Sequence, residues 1–205
     1  MAKVKILQFN PEEYNFKLQA KKSNLQVAPG VKMEYITKEK WYALFVTTGE
    51  EDRVKERIYF KIKDEFKALV PKRNMRERKE GKWEDKVRTL FPGYVLLKGQ
   101  MNSNKYNLIK DIPGVIKLLR DSDGPQEIAE REIGLIARLT ADSEIIGRSS
   151  VYVQGGDVVV IDGPLLGMEG YIQSIDRRKG RVKIVINLMG EPRTIELSVT
   201  MIQSA

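Results

Sequence analysis

From residue 157 to residue 197 the chain repeats one pattern four times: a short run rich in Val, Ile and Leu, then a gap holding Gly or Pro. The runs fall at 157–161, 170–175, 182–186 and 193–197, and 199–202 offers a fifth. Runs this short do not support a packed helix. Turn residues at such spacing close short strands into a small β-barrel. The barrel module is therefore expected over 151–205, behind a linker at 141–150 that shows no period.

Residues 38–140 have a different texture. The run 41–46, Trp-Tyr-Ala-Leu-Phe-Val, ends at Gly49 and reads as a buried strand. Val54, Ile58, Ile62 and Phe66 recur every four residues through charged sequence, which marks one face of a helix. Strand character resumes over 66–70. Residues 72–88 carry eight cations and four anions around Gly81 and read as a mobile hairpin or loop. A strand over 89–98 is interrupted by Pro92-Gly93. A short helix over 103–110 has Ser103 as its N-cap. Pro113-Gly114 turns the chain into a strand at 115–119, and Ile128, Leu135, Ile136 and Leu139 mark a closing helix. The order β-α-β-β-α-β-α suits an antiparallel sheet with helices on one face, so the fold class is α+β. Residues 1–37 show no clear period and read as an N-terminal extension, with Met33 as an alternative start.

Composition narrows the chemistry. There is no Cys and no His. Thiolate nucleophiles, disulfides, the usual neutral-pH base and the commonest metal ligands are all missing, so neither an enzyme nor a metal or cofactor site is expected. No run is long and apolar enough to span a bilayer and no secretory signal pattern opens the chain, so a cytoplasmic monomer without membrane contact is expected. The net charge of +8 fits a polyanionic partner, and equally a basic protein that is merely soluble. Residues 151–205 are neutral, with six Lys and Arg against six Asp and Glu, yet five of those cations lie between Arg177 and Lys183.

Two stretches carry a family resemblance. Trp41-Tyr42, then Leu90-Phe91-Pro92-Gly93-Tyr94-Val95-Leu96, then Ile112-Pro113-Gly114-Val115 resemble, in order and spacing, the signature of the NusG N-terminal (NGN) domain. Gly156 to Pro164, continuing through Gly170 to Gly180, resembles a KOW motif, an SH3-like five-stranded barrel. The resemblance implies a non-enzymatic transcription elongation factor. In that family the NGN domain binds the clamp helices of RNA polymerase through an apolar depression, and the tethered KOW module recruits a second partner. Carried over by position, the depression comprises Phe45, Phe91, Tyr94 and Leu118, with plain core residues as the alternative reading of Phe45 and Leu118. Pro92-Gly93 is expected to bend the chain and expose Phe91 and Tyr94. Lys105, Tyr106 and Asn107 match where some members touch the opposite polymerase subunit. Arg73, Arg76, Arg78, Lys79 and Lys82 lie where the family faces upstream DNA, and a solvated loop explains them equally well.

The KOW region departs from general NusG proteins. Leu165 and Met168-Glu169 stand where Phe residues bind ribosomal protein or termination factor in the general factor. The addition is cationic: Arg177, Arg178, Lys179 and Arg181 form a turn, with Lys183 on the same strand face and Arg193 nearby. This profile is most similar to the LoaP group of specialised antiterminators and implies binding of an RNA hairpin. Two other readings stay open: a housekeeping factor whose barrel binds proteins, and a ribosome-associated RNA-binding protein.

Overall fold

The computed structural model describes residues 39–202, apart from Asp64, Asp123 and Asp142; residues 1–37, read above as an extension, lie outside the described residues. The residues from Lys40 onward form one compact unit. The first module contains β1 (Lys40–Val46), α1 (Glu51–Lys61), β2 (Phe66–Leu69), β3 (Lys72–Lys79), β4 (Lys82–Thr89), β5 (Tyr94–Gly99), α2 (Ser103–Lys110), β6 (Val115–Leu118) and α3 (Glu130–Leu139). Then come β7 (Ile145–Ile146), β8 (Ser149–Gln154), β9 (Asp157–Asp162), β10 (Ile172–Asp176), β11 (Arg181–Leu188) and β12 (Glu191–Met201).

The central sheet has the order β2-β5-β1-β6, with every pairing antiparallel. Strand side chains alternate between faces. Tyr42, Leu44 and Val46 therefore pack with Val95 and Leu97 against Val54 and Ile58 of α1 and Ile109 of α2. Ala43 and Leu96, paired in register, point the other way. They join Ile133, Ile136 and Leu139 of α3 and the barrel residues Leu165, Met168, Ile184 and Ile186 in one apolar cluster. A sheet covered on both faces explains the unbroken apolar run of β1. The sequence pattern gave helices on one face only; the second face is closed by α3 and the barrel.

The Pro-Gly break between β4 and β5 is fixed by a buried acid. Glu51, only 4% exposed, accepts hydrogen bonds from the N–H groups of Gly93 at 2.7 Å and Gly49 at 3.0 Å. Gly93 has φ +81°, and a Cβ there would lie 3.2 Å from Thr48 Oγ1. Left-handed backbone costs a side-chain-bearing residue about 1–2 kcal/mol. Gly93→Ala should therefore lower stability by about that amount; denaturant unfolding checks it, and an unchanged midpoint would contradict it.

Residues 72–88 are a regular two-stranded hairpin and not an irregular loop. Eight residue pairs run from Lys72↔Thr89 to Lys79↔Lys82, closed by Glu80 and Gly81 with φ +49° and +84°. Positive φ at both turn positions matches the twist of a two-residue hairpin. Cross-strand charges hold it: Arg88 donates to Glu77 at 2.6 and 3.0 Å. The N-cap of α2 is Asn102, whose Oδ1 accepts from Lys105 N–H at 2.9 Å, in place of the expected Ser103.

The barrel sheet has the order β10-β11-β12-β8-β9. The run 199–202, read as a fifth strand, continues β12, whose first part pairs with β11 and whose end pairs in parallel with β8. The fifth strand is β8, which begins inside the stretch read as linker. Within that stretch Ile145–Ile146 also pairs in parallel with β3.

Candidate nucleic-acid interface

The β10–β11 turn presents the barrel's cations. Asp176 Oδ1 accepts from Lys179 N–H at 2.9 Å, and that hydrogen bond holds the Asp176 carboxyl below its ordinary range. A depressed folded-state value means the carboxylate supports the turn above the ordinary carboxylate range and loses that role as pH falls through the lowered value. The turn is thus set at neutral pH. Arg177, Arg178 and Lys179 are exposed. Val199 N–H donates to Gly180 O at 2.9 Å, which seats the turn on β12.

The β3–β4 hairpin packs beside this turn. Met75 is buried, with its sulfur 3.9 Å from the Ser198 hydroxyl of β12. Arg73 donates to Glu196 O at 2.5 Å. Arg181 donates to Arg76 O at 2.8 Å and pairs with Glu196 at 3.1 Å. Burial is the main cause lowering the Arg73 pKa, opposed by Glu196 and reinforced by Arg181. Arg73 and Arg181, both read as nucleic-acid contacts, thus hold the two modules together.

Between hairpin and turn lies a cavity of about 300 Å³, lined by Arg76, Trp83, Arg148, Arg177, Arg178 and Lys179 along with the end of β12. The sequence reading put Arg76 toward DNA and Arg177–Lys179 toward RNA; the fold puts them on one surface. Arg78, Lys79 and Lys82 stay exposed near the hairpin tip, and Lys183 and Arg193 stay exposed on β11 and β12. Trp83 and Arg148 had not been singled out. Trp83 is a lone aromatic in a polar run, and its exposure by 42% with Arg76 Cζ 5.5 Å from the ring centre is visible only in three dimensions. Arg148 pairs with Asp85 at the rim.

The four residues of the expected polymerase-binding depression are distributed differently. Phe45 and Tyr94 share a face, with ring centres 5.5 Å apart. Leu118 does not join them: it pairs with Leu44 in register and is buried in the helix-side core. Phe91 is 5% exposed, inside the cluster shared with the barrel, so the Pro-Gly bend does not expose it in this arrangement. Tyr94 packs at the edge of that cluster. Lys105 is turned to Glu65, 2.9 Å away. Tyr106 and Asn107 line a cavity of about 380 Å³ with Tyr42, Arg120 and Glu127.

The barrel is latched to α3. Glu132, 6% exposed, accepts from Met189 N–H and Gly190 N–H at 3.0 Å each, in the β11–β12 turn. Arg138 donates to Leu166 O at 2.7 Å.

An antiparallel sheet with helices, packed against a curled KOW-like barrel, defines a mixed α+β protein of two modules. The family model described as "Transcription termination factor nusG" matches residues 39–137. The Transcription termination/antitermination protein NusG of Rickettsia prowazekii (strain Madrid E) is 31% identical over 172 residues, covering 80% of this chain and 90% of the relative. Its counterpart in Pasteurella multocida (strain Pm70) is 32% identical over 178 residues, covering 83% and 97%. A solved structure described as "Domain interaction in Thermotoga maritima NusG" aligns with a TM-score of 0.53 at 28% identity, covering 78% of this chain and 94% of that one. The chain belongs to the NusG family.

Proposed function

We propose that this chain is a cytoplasmic transcription termination/antitermination factor that binds RNA polymerase through its first module and structured RNA through its cationic surface. Family membership supports the first half. The observation that carries the second is the convergence of Arg76, Arg177, Arg178 and Lys179 on one cavity with no carboxylate among its lining residues. Phosphate contacts of this kind give affinity that falls steeply with salt.

Phe45, Tyr94 and Phe91 are the anchors for the polymerase clamp helices, because aromatic side chains in a shallow groove dominate helix docking. Leu118 supports the sheet from behind. Lys105, Tyr106 and Asn107 offer a second, smaller contact, and Lys79 and Lys82 can reach upstream DNA phosphates. Leu165 and Met168-Glu169 stand where the general factor carries the Phe residues associated with ribosomal protein or termination factor, so the barrel lacks those aromatic contacts. That favours the specialised, LoaP-like role over the general one. Tyr94→Ala should weaken binding to the clamp coiled coil by roughly tenfold or more, as for an interface anchor, with little change in melting temperature. Calorimetric titration with that coiled coil tests it; unchanged affinity would remove Tyr94 from the interface.

A further inference from the structure

We propose that the cavity between the β3–β4 hairpin and the β10–β11 turn takes one unstacked nucleotide of an RNA strand. Its base lies against Trp83 and its phosphate among Arg177, Arg178 and Lys179. This deepens the RNA-binding reading above and rests on it.

Trp83 belongs to neither apolar cluster, so the core does not account for its ring. It stands diagonal to Arg76 across the hairpin and is oriented by that guanidinium. Arg177 and Arg178 are exposed and form no ion pair among the described residues. An aromatic face beside a cationic groove is the recurring chemistry of single-stranded nucleic-acid binding: the ring stacks a base, and the cations track the backbone. The volume of about 300 Å³ lies at the small end of ligand sites, which suits one nucleotide and not a duplex face. A base held within a duplex stack cannot enter such a recess. The site therefore selects a bulge, loop or single strand. Thr200, exposed on the same lining, offers a hydroxyl for a ribose 2′-hydroxyl. The walls are set before any ligand arrives: Asp176 fixes Lys179, Gly180 seats on β12, and Arg181 ties the turn to the hairpin.

The test uses the full chain with Trp41→Phe, which leaves Trp83 as its one tryptophan. It is titrated with oligoriboadenylate, oligodeoxyadenylate and an abasic strand of equal length. Oligoriboadenylate should quench Trp83 emission and bind roughly tenfold tighter than the abasic strand. Fluorescence anisotropy with a labelled strand should show Trp83→Ala losing that advantage while keeping the abasic-strand affinity; this comparison needs no change at Trp41. If base-bearing and abasic strands bind alike with Trp83 emission unmoved, the nucleotide pocket is wrong and phosphate binding stands. If the deoxy strand binds as tightly as the ribo strand, the assignment to RNA is wrong. Binding of no strand at low salt removes this inference, and the RNA-binding reading falls with it if a hairpin-forming leader RNA also fails to bind.

Discussion

Glu132→Ala should weaken the docking of the barrel and raise the affinity of the chain for the polymerase clamp coiled coil. The carboxylate is buried and accepts from two consecutive backbone N–H groups of the β11–β12 turn, beside the Arg138 bond to Leu166 O and the apolar cluster that α3 shares with the barrel. Hydrogen bonds to a charged group contribute about 1.5–3 kcal/mol, and the turn's N–H groups can find water once the carboxylate is gone. A loss of about 2 kcal/mol corresponds to roughly thirtyfold in the docking equilibrium. Alanine is the strongest helix former, so α3 itself survives. Phe91 lies in the apolar cluster that the sheet and α3 share with the barrel, and Tyr94 packs against it, so loosening the barrel makes the proposed anchors more accessible. The same variant should bind oligoriboadenylate more weakly, because the nucleotide cavity has one wall from each module. Two ligands moving in opposite directions on one substitution is a result that simple misfolding does not give. Calorimetry with each ligand measures both, and equal affinities for variant and wild type would contradict the latch.

Phe91→Ala should be the more damaging change to stability. The ring is 5% exposed and lies in the cluster that joins sheet, α3 and barrel. Truncating a buried Phe costs about 3–5 kcal/mol through lost transfer energy and the cavity left behind. At about 2–4 °C per kcal/mol for a chain of this size, the melting temperature should fall on the order of ten degrees. Phe45→Ala, at a half-buried position, should cost much less. Equal, small losses for the two would show that Phe91 is a surface anchor in the free protein.

Much of the fold was legible because it is written in local periods. The stripe Val54, Ile58, Ile62, Phe66 gave α1, although Ile62 caps the helix and Phe66 opens β2, and the apolar run 41–46 gave β1. The Gly- and Pro-spaced runs gave the barrel. What escaped was non-local. Strand β7 is two residues long and exists because β3 offers an edge. The hairpin β3–β4, read as hairpin or loop, has one buried apolar side chain, Met75, so no alternation decides between the two. Its regularity comes from the Glu80-Gly81 turn and from Arg88 on Glu77. Phe91 is buried in a cluster that draws on α3 and on barrel residues more than 60 positions further along the chain, and no local pattern encodes that packing. The cationic residues were legible by type but not by use. Arg73 and Arg181 read as phosphate contacts and serve as struts, whereas Trp83 read as nothing and stands in the cavity.

The central claim is that one module grips the polymerase and a shared cationic surface grips RNA. The most direct measurement is read-through past a terminator by purified polymerase, with and without a hairpin-forming leader upstream. Read-through that rises with this protein and rises further with the leader would agree with it. Read-through that ignores both the protein and the leader would contradict it.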